Sequence, residues 1–227
     1  MSSPLTIYRL DASIRKEGSV SRAVADSLET ALIADAGSAR IVHREIGLTP
    51  IPSTAWQTSV FAGFTPEAER TAEQREARAL AATLADELVE ADAYIFAVPL
   101  YNFGVSQHFK LWMDLLLTDP RFAPGGSRPI AGRPAILVTV RGGGYGAGTP
   151  RHGWDHATPW YQRMLADVLG LQVELVETEL TLADVTPAME SLRSLAAENL
   201  RNAHDVAGRH GKQLAASLRD ETPVAAE

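Results

Sequence analysis

The chain has 227 residues, no cysteine and a formal net charge of -7, with 21 Lys and Arg against 28 Asp and Glu. This balance argues against binding nucleic acid, because phosphate neutralisation takes clustered Lys and Arg and the arginines here are scattered. The absence of cysteine excludes disulfides, thiolate catalysis and Cys-ligated metal sites, and it fits a cytoplasmic location. The amino terminus lacks the features of a signal peptide, and no apolar run approaches the roughly 20 residues of a membrane helix, so we expect a soluble protein with no membrane partner.

Hydrophobic residues make up 45% of the chain, which is enough to bury a full core. We therefore predict a single domain over residues 1–219, followed by a disordered tail at 220–227. Short apolar runs alternate with segments of helical periodicity. The runs predict strands at 6–10, 40–44, 93–98, 135–139 and 172–176.

Between the strands, apolar residues recur at helical spacing. One predicted helix face contains Ala77, Leu80, Ala81, Leu84 and Leu88, and another contains Phe109, Trp112, Met113 and Leu116. Three Thr-Pro pairs, at 65, 158 and 186, predict helix starts with Thr as the cap, and Gly170 predicts the end of the second helix. Residues 46–64 and 118–134 are expected to be irregular, the first as a surface excursion. The alternation implies an α/β fold, a parallel sheet with helices on both faces.

The first candidate binding segment, residues 93–114, is a strand that ends at Pro99, a turn over 100–104 and a helix that begins near Ser106. Ligands of open parallel sheets bind at the carboxyl ends of the strands, so this turn should lie at a site. Tyr101 and Phe103 offer ring faces, while Asn102 and the amides after Pro99 suit the polar edge of a heterocycle. The alternative is an ordinary strand-to-helix turn.

The second segment follows the first strand and favours a phosphate site. Ser13, Ser19 and Ser21 flank Gly18, and a helix from about Ser21 would direct free amides at an anion. The alternative is that Ser19 or Ser21 merely caps this helix. Arg15, Lys16 and Arg22 would either add cationic contacts or be solvated. Neither a P-loop nor a Gly-x-Gly-x-x-Gly fingerprint occurs here.

The third segment is the glycine-rich stretch 141–148, RGGGYGAG. Glycines allow the backbone to approach a ligand closely, although a flexible loop would have the same composition. Tyr145 would either wall the substrate space or be an exposed loop residue. His152 and His156 lie four residues apart, but no further ligand is evident, so we expect them to line the site and not to bind a metal. His43 has no partner that the sequence identifies.

Together, these segments resemble the FMN-dependent NADH azoreductases, a flavodoxin-like family of quinone and azo reductases. The resemblance runs from about residue 5 to about 180. Residues 99–103 match the family's Pro-x-Tyr-Asn-Phe pattern. Residues 11–13 together with 19–21 match its phosphate loop, and residues 140–143 match its Ser-Arg-Gly-Gly turn. The sequence departs from the family pattern at Val140, where the family commonly has Ser. A hydroxyl contact to the flavin would therefore be lost. The resemblance implies a flavodoxin-like doubly wound sheet in the order 2-1-3-4-5.

The resemblance also implies a cofactor and a reaction. It assigns FMN contacts to Ser13, Ser19, Val20, Ser21, Leu100, Tyr101, Asn102, Phe103, Val140, Arg141, Gly142 and Gly143. NADH or NADPH would reduce the flavin, which would then reduce a quinone or azo acceptor at the same ring face, in ping-pong order and without a catalytic side chain. Tyr145, His152 and His156 would line the acceptor pocket.

A homodimer is the implied assembly. Trp112, Met113 and Leu116 make the helix after the 100–104 turn more apolar than one buried sheet face requires, and Phe122 would extend to the partner's flavin. Two other flavoprotein classes stay open. A biosynthetic flavoenzyme for one metabolite is one, because Val140 and the long 141–156 loop leave the pocket undefined. A flavodoxin-type electron carrier is the other, although such a carrier needs little covering loop. No Gly-x-Ser-x-Gly elbow supports a hydrolase.

Overall fold

The computed structural model describes residues 5–220. One sheet contains the parallel strands β1 (Leu5–Asp11), β2 (Ala39–Glu45), β3 (Ala93–Pro99), β4 (Pro134–Val140) and β5 (Gln172–Thr178). Their order is β2-β1-β3-β4-β5, and each neighbouring pair is parallel. The predicted α/β class, strand positions and flavodoxin-like order are confirmed. This order brings the carboxyl ends of β1, β3 and β4 together at one edge.

The helices are α1 (Val20–Ala36), α2 (Ala55–Gly63), α3 (Ala72–Val89), α4 (Gln107–Leu116), α5 (Thr158–Gln162) and α6 (Arg193–Asp220). A π-helical segment, Arg163–Val168, continues α5, and short 3₁₀ turns occupy Glu67–Glu69 and Pro187–Leu192. None of these helices is both long and apolar enough to cross a bilayer. Of the predicted tail, Asp220 is the last residue of α6, and 221–227 lie outside the described residues.

Side chains of β3 alternate between two cores because successive strand residues point to opposite faces. Tyr94, Phe96 and Val98 pack with α3 and α4 on one face. Ile95 and Ala97 pack with α1 and α6 on the other. Burial on both faces explains why this strand is a continuous apolar run. We keep the single-domain assignment as a proposal, supported by this one sheet running between both cores.

The Thr-Pro pairs do not cap helices as predicted. After Thr65, Pro66 precedes only a 3₁₀ turn, and α3 begins later, at Ala72, with Thr71 as its N-cap in a capping box with Gln74. Thr158 is the first residue of α5, and its hydroxyl donates to Asp155 at 2.7 Å. Thr186 precedes a 3₁₀ turn and makes no side-chain cap bond. The prediction for Gly170 is confirmed, since it follows the second helix with a φ of 82°.

The prediction of a surface excursion at residues 46–64 is only partly correct. It contains α2, and Ile46, Ile51, Ala55 and Ser59 are buried. The helix escaped prediction because its apolar residues are not confined to one face: Phe61 is 57% exposed. Residues 118–134 are irregular before β4, as expected.

The apolar face of α4 does not support a dimer as the sequence analysis argued. Trp112, Met113 and Leu116 are fully buried within one chain. The Trp112 ring lies 6.4 Å from Tyr8 and 6.0 Å from Phe96, between centroids. The helix is strongly apolar because it packs in the core, so the argument from its composition was wrong, and dimerisation itself stays a prediction.

Candidate functional site

A cavity of about 250 Å³ opens at the carboxyl ends of β1, β3 and β4. All three predicted segments contribute to it: the 13–19 loop, the 100–104 turn and the glycine turn, residues 141–144. The predicted residues that line it are Ser13, Ser19, Val20, Ser21, Leu100, Tyr101, Val140 and Gly142. Asn102, Phe103, Arg141 and Gly143 are not among its lining residues, although they lie in the same turns.

The 13–19 loop gathers hydroxyl groups at the start of α1. Ser13, Ser19 and Ser21 are buried, and the Ser19 and Ser21 hydroxyl oxygens are 3.3 Å apart. Ser19 also caps α1 by accepting from the Arg22 amide, but at 3.5 Å this bond is weak. The capping alternative and the phosphate interpretation are therefore compatible, because the hydroxyl and the first amides of α1 face the same anion position.

Arg22 holds the 13–19 loop from behind. Its guanidinium donates to the carbonyl oxygens of Ser13 at 2.8 Å and Arg15 at 3.1 Å, and it is ion-paired with Glu45. Arg22 is thus neither solvated nor free to bind a ligand. Arg15, by contrast, lines the cavity.

A charged cluster lies beneath this loop. Asp11 is fully buried and contacts His43 Nε2 at 2.5 Å and Arg9 Nε at 3.1 Å. Burial alone would raise the pKa of Asp11, but the His43 hydrogen bond and the charges of Arg9 and Arg22 more than offset it, so the pKa is lowered. Asp11, His43 and Glu45 place ligand atoms within 4.8 Å of one another. Since both carboxylates are already paired with arginines, this cluster is better suited to holding the loop than to binding a cation.

The 100–104 turn has an unusual backbone. Asn102 and Phe103 have φ angles of 48° and 65°, and Tyr101 and Gly104 exchange backbone hydrogen bonds of 3.3 and 2.9 Å. Two consecutive positive φ angles define a type I′ turn, which Asn tolerates and Phe disfavours. Such strain persists where the surroundings enforce it.

Contacts on both sides enforce this conformation. The Tyr101 hydroxyl accepts from the Ile14 amide at 3.1 Å, which joins the turn to the 13–19 loop. The Phe103 carbonyl accepts from the His156 amide at 3.0 Å. The turn is therefore held between the predicted phosphate loop and the loop after the glycine turn.

Arg141 uses its side chain for structure. The guanidinium pairs with Asp155 at 2.9 Å, Glu177 at 2.9 Å and Glu179 at 3.1 Å. Asp155 in turn accepts from the Ala157 and Thr158 amides. The Arg141 side chain thus ties the glycine turn to β5 and α5. Its backbone is engaged as well, because the amide donates to Thr178 O at 2.9 Å and the carbonyl accepts from the Thr181 amide at 3.3 Å.

Two lining residues were missed by the sequence analysis. Thr181 and Leu182 follow β5 and line the cavity, and the Leu182 amide donates to Gly142 O at 3.1 Å. A Cβ on Gly142 would lie 2.7 Å from Leu182 Cδ1, so a side chain at this position would have to displace the Leu182 side chain. Their position after a fifth parallel strand, at the same edge, is the one signal that could have indicated them.

The predicted acceptor residues occupy different environments. Tyr145 is buried and packs edge-on to Phe103, with centroids 6.2 Å apart. The exposed-loop alternative for Tyr145 is therefore wrong. His152 and His156 are exposed in the 150–157 loop. Phe122 is 5% exposed and packs in the core of its own chain, which leaves no ring surface for a partner's flavin.

Two further side chains that the sequence analysis missed contact Phe103. Trp154 is half exposed, and its ring centroid is 5.2 Å from that of Phe103. The Arg151 guanidinium carbon lies 5.6 Å from the same centroid. An aromatic and cationic surface thus borders the 100–104 turn.

Comparison with known proteins agrees with this geometry. A family profile described as "Flavodoxin-like fold" matches residues 6–204. The chain is 36% identical over 185 residues to an FMN-dependent NADH:quinone oxidoreductase of Frankia alni, covering 81% of this chain and 87% of the relative. It is 39% identical over 204 residues to a protein of the same description from Kineococcus radiotolerans, and the match covers 87% of this chain and 93% of that relative.

A solved structure of an FMN-dependent NADH-azoreductase from Bacillus anthracis, in complex with FMN, has a TM-score of 0.73 and 18% identity, and covers 93% of this chain and 99% of that one. At this identity the likeness concerns the fold. The resemblance predicted from the three motifs is confirmed by the family profile and the relatives. The chain therefore belongs to the flavodoxin-like family and, within it, to the group of the FMN-dependent NADH:quinone oxidoreductases.

Proposed function

We propose that this chain is an enzyme that binds FMN and uses it to transfer reducing equivalents from NADH to a quinone or azo acceptor. The observation that carries the proposal is the cavity in which the 13–19 loop, the 100–104 turn and the glycine turn meet. The names of the relatives, FMN-dependent NADH:quinone oxidoreductases, support both the cofactor and the donor.

The residues at the cavity fit FMN. The hydroxyls of Ser13, Ser19 and Ser21 and the first amides of α1 suit a phosphate monoester. The two turns suit the ring, because the Leu100 amide donates to Val140 O at 2.9 Å and so holds them side by side. The predicted contacts at 100–103 and 140–143, Asn102, Phe103 and Gly143 included, belong to this proposal. Arg141 would contribute by holding the glycine turn in place, since its side chain is ion-paired and its amide and carbonyl are hydrogen-bonded to Thr178 and Thr181.

FMN supplies the chemistry when bound: it accepts a hydride from the nicotinamide and returns two electrons to the acceptor. The protein binds, orients and shields. One ring face would lie against the two turns, so donor and acceptor must use the other face in succession. This argues for ping-pong kinetics. Tyr145, His152 and His156 remain the proposed neighbours of the acceptor, and Trp154 joins them.

A homodimer is also part of the proposal, now on different residues. Trp56, Phe61 and Phe64, on and just after α2, are 45%, 57% and 82% exposed in the single chain, and large exposed aromatic side chains gain from burial against a second copy. Phe122 is left out, because its ring lies in the core. A cytoplasmic location completes the proposal, since NADH is an intracellular donor.

The test is a spectrum followed by turnover. The purified protein should be yellow, release FMN and not FAD on denaturation, and be bleached anaerobically by NADH. Menadione and an azo dye should restore the colour. Protein that is colourless and cannot be reconstituted with FMN would contradict the proposal. An acceptor panel decides between classes: turnover of a single metabolite would favour a biosynthetic enzyme, and transfer to protein partners alone would favour an electron carrier.

A further inference from the structure

A second cavity, of about 460 Å³, lies on the other side of the glycine turn. We call it the α6 groove, because the 3₁₀ turn 187–192 and the start of α6 form its far wall. Gly142 lines the first cavity and Gly143 the groove, so the two are separated by neighbouring residues whose Cα atoms are about 3.8 Å apart. The volume is within the range of roughly 300–1,000 Å³ that is typical of small-ligand pockets.

The far wall of the groove combines apolar and polar side chains. Met189, Leu192 and Leu195 supply the apolar surface, and Asn199 adds a polar side chain to the lining. Leu192 and Leu195 are 36% and 48% exposed, so a ligand that covers them would gain from their burial. The Asn199 amide both donates and accepts hydrogen bonds, which suits the edge of a purine base.

Arg151 lies between the groove and the flavin side of the molecule. It lines the groove, while its guanidinium rests over the Phe103 ring at 5.6 Å. A Cβ on Gly143 would meet its Nη1 at 2.8 Å. Within residues 5–220 it forms no ion pair, unlike Arg141 in the adjoining turn. Arg151 is therefore a cation available to an anionic ligand.

The other charged side chain at the groove is already engaged. Glu179 lines it, and its carboxylate pairs at 3.1 Å with Arg141, whose guanidinium also pairs with Asp155 and Glu177, and accepts from the Tyr145 amide at 3.1 Å. Among the described residues that line the groove, Arg151 is therefore the charged group without an ion pair.

We propose that the α6 groove binds the adenosine of the reduced nicotinamide donor and that Arg151 binds its diphosphate. The inference rests on the proposed function, which places the nicotinamide at the flavin beside Phe103. The flavin site, the cation and the apolar groove follow one another in the protein in the same order as the nicotinamide, the diphosphate and the adenosine follow one another in the donor. Arginine suits the diphosphate because its planar fork donates two parallel hydrogen bonds to phosphate oxygens.

Direct binding tests this subsite without turnover. ADP-ribose, which is the donor without its nicotinamide, is titrated into FMN-loaded protein by calorimetry. Arg151→Gln should weaken ADP-ribose binding about tenfold, as expected for loss of charge-assisted hydrogen bonds, and should leave adenosine binding unchanged. Ala188→Phe, at an exposed position on the groove wall, should weaken both ligands. Arg209→Gln is the matched control, an exposed arginine on α6 about 15 Å along the helix from Asn199.

Kinetics with two donors distinguishes this subsite from the flavin site. With menadione as the uncharged acceptor, Arg151→Gln should raise the KM for NADH about tenfold and lower turnover of N-benzyl-1,4-dihydronicotinamide, which has no diphosphate, much less. Equal losses with both donors, or ADP-ribose binding that is insensitive to Arg151, would overturn the inference. A loss confined to sulfonated acceptors would also overturn it, by assigning Arg151 to the acceptor. A wild-type protein that oxidises neither donor would instead contradict the proposed function, and ADP-ribose titration still decides on the groove.

Discussion

Gly47 lies against Ser13 so closely that a Cβ on Gly47 would come within 2.0 Å of the Ser13 carbonyl oxygen. The Gly47 amide also donates to Asp11 O and to the Glu45 carboxylate. The turn after β2 thus supports the 13–19 loop from one side, and Arg22 supports it from another. A ligand phosphate would meet a loop whose backbone is already positioned.

We expect Gly47→Ala to displace the 13–19 loop and weaken FMN binding. Steric insertion into a packed site typically costs about 1–3 kcal/mol, or roughly 5- to 150-fold in affinity. The loss should be smaller for riboflavin, which lacks the phosphate. Fluorescence titration of the apoprotein measures both constants. Gly63→Ala, where an added Cβ meets nothing within 4 Å, is the control, and equal losses for the two flavins would show that the loop is not the phosphate site.

The strained backbone at Phe103 should make the stability of variants at this position depend on how well the new residue tolerates a positive φ. Phe103→Ala and Phe103→Gly remove the same ring contacts, but only glycine is relaxed at a φ of 65°. We expect the glycine variant to be more stable than the alanine variant by about 1 kcal/mol. At Ala79, an exposed position inside α3, Ala79→Gly should instead destabilise by about 1 kcal/mol. Urea unfolding measures these differences, and an alanine variant as stable as the glycine variant would refute strain at this position.

Asn102 requires a pair of substitutions for the same reason. Asn102→Ala changes both the side chain and the preference for a φ of 48°, whereas Asn102→Gly keeps the backbone accessible and removes only the amide group. If the side chain contacts the flavin edge, Asn102→Gly should weaken FMN binding by about 1 kcal/mol, near fivefold. Unchanged FMN affinity in the glycine variant would show that the exposed amide faces elsewhere.

Much of the fold could be predicted, because each strand is a local apolar run and the alternation with helices limits the topology. The three cavity segments could be found for the same reason, since strand ends in a parallel sheet share an edge. The argument for a dimer from the apolar residues of α4 failed because the apolar content of a helix does not show whether those residues pack within one chain or against a second chain. Thr65 failed as a cap because its hydroxyl donates backward to Phe61 O at 3.1 Å.

Contacts between loops could not be predicted. Arg151 with Phe103, Leu182 with Gly142 and Gly47 with Ser13 join segments that are distant in sequence. Each depends on how loops fold back over the sheet edge, and no period or spacing encodes that. Arg151 and Trp154 were missed because their contacts with Phe103 are of this kind.

Asp155 should make stability depend on acid pH. Burial would raise its pKa, but hydrogen bonds from Thr158 and Ala157 and the Arg141 contact lower it below the ordinary 3.8. The carboxylate therefore stabilises the fold fully above about pH 5, and this contribution is lost as the pH falls through and below 3.8. Asp155→Asn should lower the free energy of unfolding at pH 7 and reduce the fall in that free energy between about pH 5 and pH 3.

Urea midpoints between pH 3 and 7 measure the effect of Asp155. Asp167→Asn is the control, because Asp167 forms an exposed ion pair with Arg163 and such pairs contribute little. An acid limb in Asp155→Asn that parallels the wild type would show that other carboxylates, such as Asp11, account for acid unfolding.

Trp154 should determine acceptor preference without holding the cofactor. Its ring is half exposed and packs edge-on to Phe103 at 5.2 Å, outside the residues that line the first cavity. We expect Trp154→Ala to lower kcat/KM for bulky azo dyes about tenfold, since an aromatic contact of about 0.5–1.5 kcal/mol is lost together with buried area, and to change menadione reduction and FMN affinity little. Val185→Ala controls for removing an exposed apolar side chain, since Val185 is 73% exposed and lines neither cavity. If Trp154→Ala releases FMN, or lowers activity equally with every acceptor, Trp154 supports the 100–104 turn and does not select the acceptor.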